Sequence, residues 1–340
     1  VPIHTVVAGK LRRYHGIPWW KQLLDIPTTL KNIRDVFVVF FGIIQSIVLL
    51  ARLKPQVVFA KGGYVCLPVG IAAHVLRIPL VIHDSDTKAG LTNKVLGRWA
   101  SRIGTGAPLQ NYSYPKEISK YVGVPIDAAF HPFTDEEQYA AKATLGLSDL
   151  KKPLVVVTGG GLGAKSINDA MGEIAPELLK KGMSIFHITG KKHYEAVERV
   201  AHKHADYQIV PFVYKDQAVT LGAADIVVAR GSATFLQELA ALRKPVIIIP
   251  AEHLSDQVKN AKVFEAAEAA LVLSDHAVVK RPTILSEAIM SLVEEPAEAS
   301  HIAAQLNTFA KPNAAADVAA QIVEVGSIQK KPVENGSGSF

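Results

Sequence analysis

The stretch Leu154-Val155-Val156-Val157-Thr158-Gly159-Gly160-Gly161-Leu162-Gly163-Ala164-Lys165-Ser166 decides the fold. An apolar run without polar alternation suits a strand covered on both faces. The glycines that follow allow a tight turn and a close backbone approach, and Lys165–Lys180 then reads as a helix. A helix start directly after such a turn offers unpaired backbone N–H groups, which suit a diphosphate. Many turns of this kind bind nothing, and no Gly-Lys-Ser/Thr stands here at Walker spacing, so the loop alone names no ligand.

The same rhythm runs outward in both directions. Gln56–Ala60, Pro79–His83, Ser184–Ile188, Asp225–Ala229 and Pro245–Pro250 read as further buried strands. Ile71–Leu76, Phe235–Leu242 and Val258–Ala269 read as helices between them. Alternating strands and helices predict an α/β protein with parallel sheets. The rhythm breaks near Thr134–Lys152, where Thr134-Asp135-Glu136-Glu137 opens a polar helix and Ser148–Pro153 makes a charged linker. The expectation is two Rossmann-like doubly wound domains with a cleft between them. They would occupy residues 1–148 and 149–310, followed by a helix over 311–326 packing back on the first domain and a polar tail over 327–340. In such sheets ligands bind at the carboxyl ends of the strands, so the residues just after each strand matter most.

Composition narrows the partners. The 340 residues are 49% hydrophobic and 20% charged, enough apolar matter for two cores. One cysteine, Cys66, excludes a disulfide framework and a cysteine-based metal site. A net charge of +6 suits an anionic ligand or an anionic membrane surface. No long Lys/Arg run and no nucleic-acid motif is present, so nucleic acid is not an expected partner. The apolar stretch Val36–Ala51 is interrupted by Gly42, Gln45 and Ser46. At roughly 16 residues it falls short of the ~20 of a membrane span. It reads as a helix that is buried or lies in the bilayer interface. With Lys10, Arg12, Arg13, Trp19, Trp20 and Lys21 nearby, it predicts peripheral attachment to a membrane.

Four more strand ends carry candidate chemistry. Gly62-Gly63-Tyr64 follows one strand, and His83-Asp84-Ser85-Asp86 ends another. Asp84 and Asp86 could share a metal, but no third ligand stands near, and no metal is expected. Arg230-Gly231-Ser232-Ala233-Thr234 leads into a helix holding Glu238 beside Leu239-Ala240-Ala241. A carboxylate there either accepts ribose hydroxyls or simply complements the helix dipole. Pro250–Ala261 is a polar loop in which Asp256 and Gln257 can bond sugar hydroxyls and His253 can act as a base.

Taken in order, these residues resemble the MurG family, bacterial transferases of the GT-B fold that move N-acetylglucosamine from its uridine diphosphate to a lipid-linked muramyl-pentapeptide. The resemblance rests on Gly62-Gly63-Tyr64-Val65, on His83-Asp84-Ser85-Asp86 with Gly90-Leu91-Thr92-Asn93, and on Gly159–Ala164. Pro211-Phe212-Val213, Glu238 and Gln257 with Asn260-Ala261 continue it, so that it covers roughly residues 5–325. It implies a nucleotide-sugar site of Gly160, Gly161, Gly163, Phe212, Val213, Arg230, Thr234, Glu238 and Gln257. Within it, Phe212 and Val213 would meet uracil, Glu238 the ribose and Gln257 the sugar. An acceptor side of Gly62, Gly63, Tyr64, His83 and Asp86 is also implied.

The chain departs from the family pattern in several places. The family's Asn-Pro-Val-Arg stands here as Val124-Pro125-Ile126-Asp127, its Glu-Gln-Asn as Asp84-Ser85-Asp86, and a loop serine as Gly161. The family's first glycine-rich loop has no counterpart, so the first domain reads as N-terminally incomplete and the catalytic base stays unassigned, with His253 and Glu238 as candidates. The resemblance implies UDP-N-acetylglucosamine and a lipid-linked acceptor as partners, inverting chemistry without a metal or other cofactor, and the cytoplasmic face of the plasma membrane. A non-catalytic nucleotide-sugar-binding homologue, or transfer to another lipid, are the alternatives.

Overall fold

The structure, a computed structural model, describes residues 2–12, 24–161 and 163–328. Arg13, Trp19, Trp20, Lys21 and Leu162, and the tail from residue 329 onward, lie outside the described residues. The chain divides into two compact units, residues 1–124 with 313–340, and residues 125–312.

The first unit holds α1 (Ile26–Leu53), β1 (Val58–Ala60), α2 (Cys66–Val75), β2 (Leu80–Asp84), α3 (Leu91–Leu96), β3 (Arg102–Thr105) and β4 (Ser119–Tyr121). Its four strands are parallel in the order β1-β2-β3-β4. The chain's last described helix, Ala314–Ile328, packs on β2 and β3. Ion pairs Arg102–Glu324 at 2.5 Å and Lys120–Asp317 at 2.8 Å hold it there.

Helix α1 is built inside out. Its buried stripe is Thr28, Asp35, Gly42 and Ser46, small or polar residues at helical spacing, and ends on Leu50. The opposite face exposes Ile33, Phe37, Phe40, Phe41, Ile44 and Val48. The residues that interrupt the apolar run are the ones that pack. A Cβ on Gly42 would lie 2.1 Å from the Val7 carbonyl oxygen. Gln45 accepts from Val7 N at 2.9 Å and donates to Thr5 O at 3.1 Å. Nearer the start of the helix, Asp35 accepts from Lys10 N at 3.1 Å and pairs with Arg12 at 2.7 Å. The segment from Thr5 to Arg12 is thus laid along α1 by polar side chains of an apolar helix. At 28 residues, α1 is longer than the run expected from sequence, and long and apolar enough to cross a membrane.

The second unit holds α4 (Asp135–Ala143), β5 (Leu154–Thr158), α5 (Lys165–Lys180), β6 (Ser184–Ile188), α6 (Tyr194–Val200), β7 (Tyr207–Val210), α7 (Gln217–Gly222), β8 (Ile226–Ala229), α8 (Ala233–Leu242) and β9 (Val246–Ile248). After these come α9 (Ser255–Ala266), β10 (Leu271–Val272), α10 (Asp275–Lys280), α11 (Thr283–Glu294) and α12 (Pro296–Asn307). Six parallel strands run in the order β10-β9-β8-β5-β6-β7. Successive residues of β5 feed opposite faces: Leu154 and Val156 enter one core with Phe186 and Val227, while Val155 and Val157 enter the other with Ile185 and Val228. This is why the strands lack polar alternation. The winding direction reverses between β5 and β8, so their carboxyl ends flank the topological switch point.

The sequence reading set the domain division at 148/149, whereas the units divide at Val124/Pro125. Side-chain anchors account for the difference. Thr134 and Glu137 close a capping box at the start of α4. From that helix Gln138 and Lys142 reach Asp225 at 2.8 and 2.6 Å. Ser148 and Lys152 of the charged linker both reach Asp206, at 2.5 and 2.6 Å. Helix and linker are therefore parts of the second unit.

Candidate functional site

A cavity of about 420 Å³ opens in the second unit at the switch point. Its wall is made by the residues that follow β5, β6, β7 and β8, together with α7, α8 and the start of α9. That size lies within the usual range for a small-molecule site.

The floor is the glycine-rich turn. Thr158 Oγ1 accepts from Gly160 N at 3.0 Å, and Gly163 N donates to Gly160 O at 3.0 Å. Gly163 has a φ of +74°, and a Cβ on it would lie 2.2 Å from Thr189 O, so no other residue fits. Helix α5 starts directly beyond with no side-chain cap, which leaves its first-turn N–H groups for another acceptor.

Arg230 stands at the end of β8. Its guanidinium donates to Ile249 O at 2.9 Å, Asp275 Oδ1 at 2.8 Å and Ser166 Oγ at 2.8 Å. One side chain thereby ties β8, the end of β9, the start of α10 and the first turn of α5 together. Arg230 also lines the cavity, with three of its guanidinium bonds made to the protein itself. It positions the turn.

Glu238, on α8, is half-buried in the cavity wall, and burial pushes its carboxyl up to about 7. Gln217 Nε2 donates to its Oε2 at 2.9 Å. Gln257 accepts from Ala251 N at 3.0 Å through Oε1, which orients its amide in the wall. Asn260 Nδ2 donates to Gly231 O at 3.0 Å and locks α9 to the loop before α8. Phe212 and Val213 complete one side, and Lys191 Nζ lies over the rings of Phe212 and Tyr214 at 5.3 and 4.5 Å.

The expected nucleotide-sugar residues Gly160, Gly161, Phe212, Val213, Arg230, Thr234, Glu238 and Gln257 all meet in this wall, with Gly163 supporting it from the turn. His253 does not: it is exposed on the loop ahead of α9 and lines no part of the cavity. Sequence reasoning missed Gln217, Ser232 and Lys191. Gln217 carries no motif of its own, and only the fold brings it to Glu238.

In the first unit, Gly62, Gly63 and Tyr64 follow β1, and Asp86 follows β2. Tyr64 is exposed. His83 is fully buried within β2, with Nε2 2.7 Å from Gly123 O and Nδ1 3.3 Å from Ser85 Oγ. Both ring nitrogens have protein partners, and burial lowers its pKa. The neighbouring Asp84, absent from the expected set, is buried and accepts from Tyr114 OH at 2.8 Å. Burial pushes its carboxyl up to about 6. Among the described residues no three His, Cys, Asp or Glu side chains gather as metal ligands.

Comparison with known proteins agrees with this architecture. The glycosyltransferase family 28 N-terminal domain matches residues 14–105, and the family 28 C-terminal domain matches residues 154–321. A Bacillus thuringiensis (strain Al Hakam) protein named UDP-N-acetylglucosamine--N-acetylmuramyl-(pentapeptide) pyrophosphoryl-undecaprenol N-acetylglucosamine transferase 3 is 33% identical over 314 residues, 92% of this chain and 81% of the relative. A Clostridium kluyveri transferase of the same name, without a number, is 33% identical over 278 residues, 81% of this chain and 73% of the relative. Among solved structures, Acinetobacter baumannii MurG superposes with a TM-score of 0.66 at 24% identity, covering 85% of this chain and 79% of its own. The Neisseria meningitidis UDP-GlcNAc 2-epimerase bound to UDP-GlcNAc shares the fold at a TM-score of 0.59 and 13% identity, covering 84% and 81%. With both domains of one family matched in order, and a third of positions shared with those transferases over most of their length, the chain is a glycosyltransferase and belongs to glycosyltransferase family 28.

Proposed function

We propose that this chain transfers N-acetylglucosamine from UDP-N-acetylglucosamine to a lipid-linked muramyl-pentapeptide, the reaction for which its relatives are named. The observation that carries this reading is the switch-point cavity, whose wall suits each part of the donor. The diphosphate lies on the glycine turn and the uncapped start of α5, the ribose hydroxyls bond Glu238, and uracil packs on Phe212 and is read by the backbone of Val213. The amide of Gln257 meets the sugar.

The reaction is a single displacement that inverts the anomeric centre. Glu238 is the one carboxylate among the described lining residues and is assigned to the ribose, which leaves no second carboxylate there for a covalent glycosyl intermediate. The leaving diphosphate is stabilised by N–H groups at the start of α5, in place of a metal. The acceptor hydroxyl loses its proton to a base outside the cavity wall, for which exposed His253 is the candidate in the second unit. Nucleotide competition tests the donor assignment: UDP displaces a bound uridine probe, and ADP displaces it at least tenfold less well. Equal displacement by the two would remove the uracil reading.

We place the first unit at the cytoplasmic face of the membrane. Support comes from the exposed apolar face of α1, with Lys10 exposed at the same unit's surface. Arg12 is engaged by Asp35 and adds less free charge than the sequence suggested. Asp35, Asn32 and Gln45 bond the Thr5–Arg12 segment on the other side, so α1 would lie in the interface with one face wetted by lipid. Flotation with anionic vesicles tests this, and a protein that stays wholly unbound would contradict it.

A further inference from the structure

A second groove, of about 460 Å³, lies at the opposite end of the six-stranded sheet, where Pro153, Asp225 and Pro245 precede β5, β8 and β9. Its rim and wall carry Lys142, Lys151, Arg243 and Lys244 against the single carboxylate of Asp225. That carboxylate already accepts three bonds from the protein. Oδ1 accepts from Gln138 at 2.8 Å, and Oδ2 accepts from Lys142 at 2.6 Å and from Leu154 N at 2.7 Å.

Lys244 is the anomaly. Only 7% of it is exposed, it lines the groove, and its ammonium makes no hydrogen bond or ion pair with any described residue. The side chain is buried while its ammonium meets only the groove, and the charge is disfavoured: burial lowers its pKa to about 8. Basic residues after a helix commonly serve its negative end. Here that role is filled otherwise. Lys244 closes the helix with its backbone N–H on Leu239 O at 3.2 Å, and Ala240 O is taken by Asn307 Nδ2 at 2.8 Å. Leu292, Val293 and Ala303 make an apolar side to the same groove.

We propose that this groove is a binding site for a small amphipathic anion, a phosphate or carboxylate on a short apolar body, with Lys244 as its buried counter-ion. The anion would supply the partner that Asp225 cannot, and its apolar body would cover the Leu292 and Val293 side. The site is separate from the donor cavity, whose wall follows the carboxyl ends of the same strands. It depends on the fold of the second unit and not on the transferase reading.

Calorimetric titration of the full chain, with UDP kept saturating, tests the site with three probes: hexyl phosphate, hexanoate and uncharged hexanol. At least one of the two anions should bind saturably while hexanol binds at least tenfold more weakly, and the preferred anion identifies the headgroup. Lys244→Met should weaken that anion at least tenfold. It should also raise the unfolding midpoint by a few degrees, which shows that the variant is folded. A second readout avoids mutation: the Lys244 amine, followed by NMR, should titrate at higher pH when the anion is present. The proposal is overturned if neither anion binds, if hexanol binds as well as they do, or if Lys244→Met binds the anion within twofold of the parent.

Discussion

Gln217 Nε2 lies 2.9 Å from Glu238 Oε2, and this bond orients the carboxyl in the switch-point cavity. The two residues come from α7 and α8, which pack against each other beside the switch point. Glu238→Ala should therefore weaken UDP binding by ~1–3 kcal/mol, the usual cost of leaving hydrogen-bonding groups unpaired. Gln217→Ala should cost less, ~0.5–1.5 kcal/mol, because it removes only the orienting bond. Calorimetry checks both, and unchanged affinity in Glu238→Ala would remove the ribose assignment.

The same carboxyl predicts a pH dependence. Burial pushes Glu238 up to about 7, so below that pH it is mostly protonated in the free protein. Ribose hydroxyls are donors and favour the ionised form, and bonds to a charged group are the stronger ones. Binding should accordingly release a proton near neutrality. Donor affinity should rise as pH increases through about 7 and level off above it, by up to roughly tenfold. Titrations with UDP-N-acetylglucosamine, which has no terminal phosphate to ionise at about pH 6, measure this between pH 5.5 and 8.5, with Glu238→Gln expected to give a flat profile.

Arg230 supplies a stability prediction. Asp275 and Ser166 share its guanidinium in a part-buried cluster at the start of α5 and α10. Asp275→Ala would leave Arg230 with Ser166 and Ile249 only, and should cost ~1–3 kcal/mol of unfolding free energy. It should also loosen the glycine turn, so UDP affinity should fall although Asp275 lines no part of the cavity. Denaturant unfolding and calorimetry on the same variant separate the two effects.

The second unit was legible because its strands are buried on both faces, which writes them as uninterrupted apolar runs such as Leu154–Val157. Short or half-buried strands were not: β4, β7 and β10 carry no such run. The domain division was misplaced because Asp206 and Asp225 anchor Lys152 and Lys142 over separations of 54 and 83 residues, which periodicity does not register. Strand-end motifs located the switch-point cavity, since the fold gathers whatever follows parallel strands at one edge. They did not separate roles within it. Arg230 in the cavity wall and His83 in the first unit read as ligand contacts, and the hydrogen bonds each makes within the protein could not be foreseen from the sequence. In α1, Gly42, Gln45 and Ser46 read as defects in an apolar run, whereas Gly42 and Ser46 lie in its buried stripe and Gln45 bonds the segment beside it.

The most direct test of the transferase assignment is to incubate the chain with UDP-N-acetylglucosamine carrying a labelled sugar and with a lipid-linked muramyl-pentapeptide in anionic vesicles. The account predicts that label moves to the lipid with release of one UDP per sugar transferred, and that Glu238→Ala slows transfer at subsaturating donor. UDP-N-acetylglucosamine that binds the chain while no label reaches the lipid would contradict it.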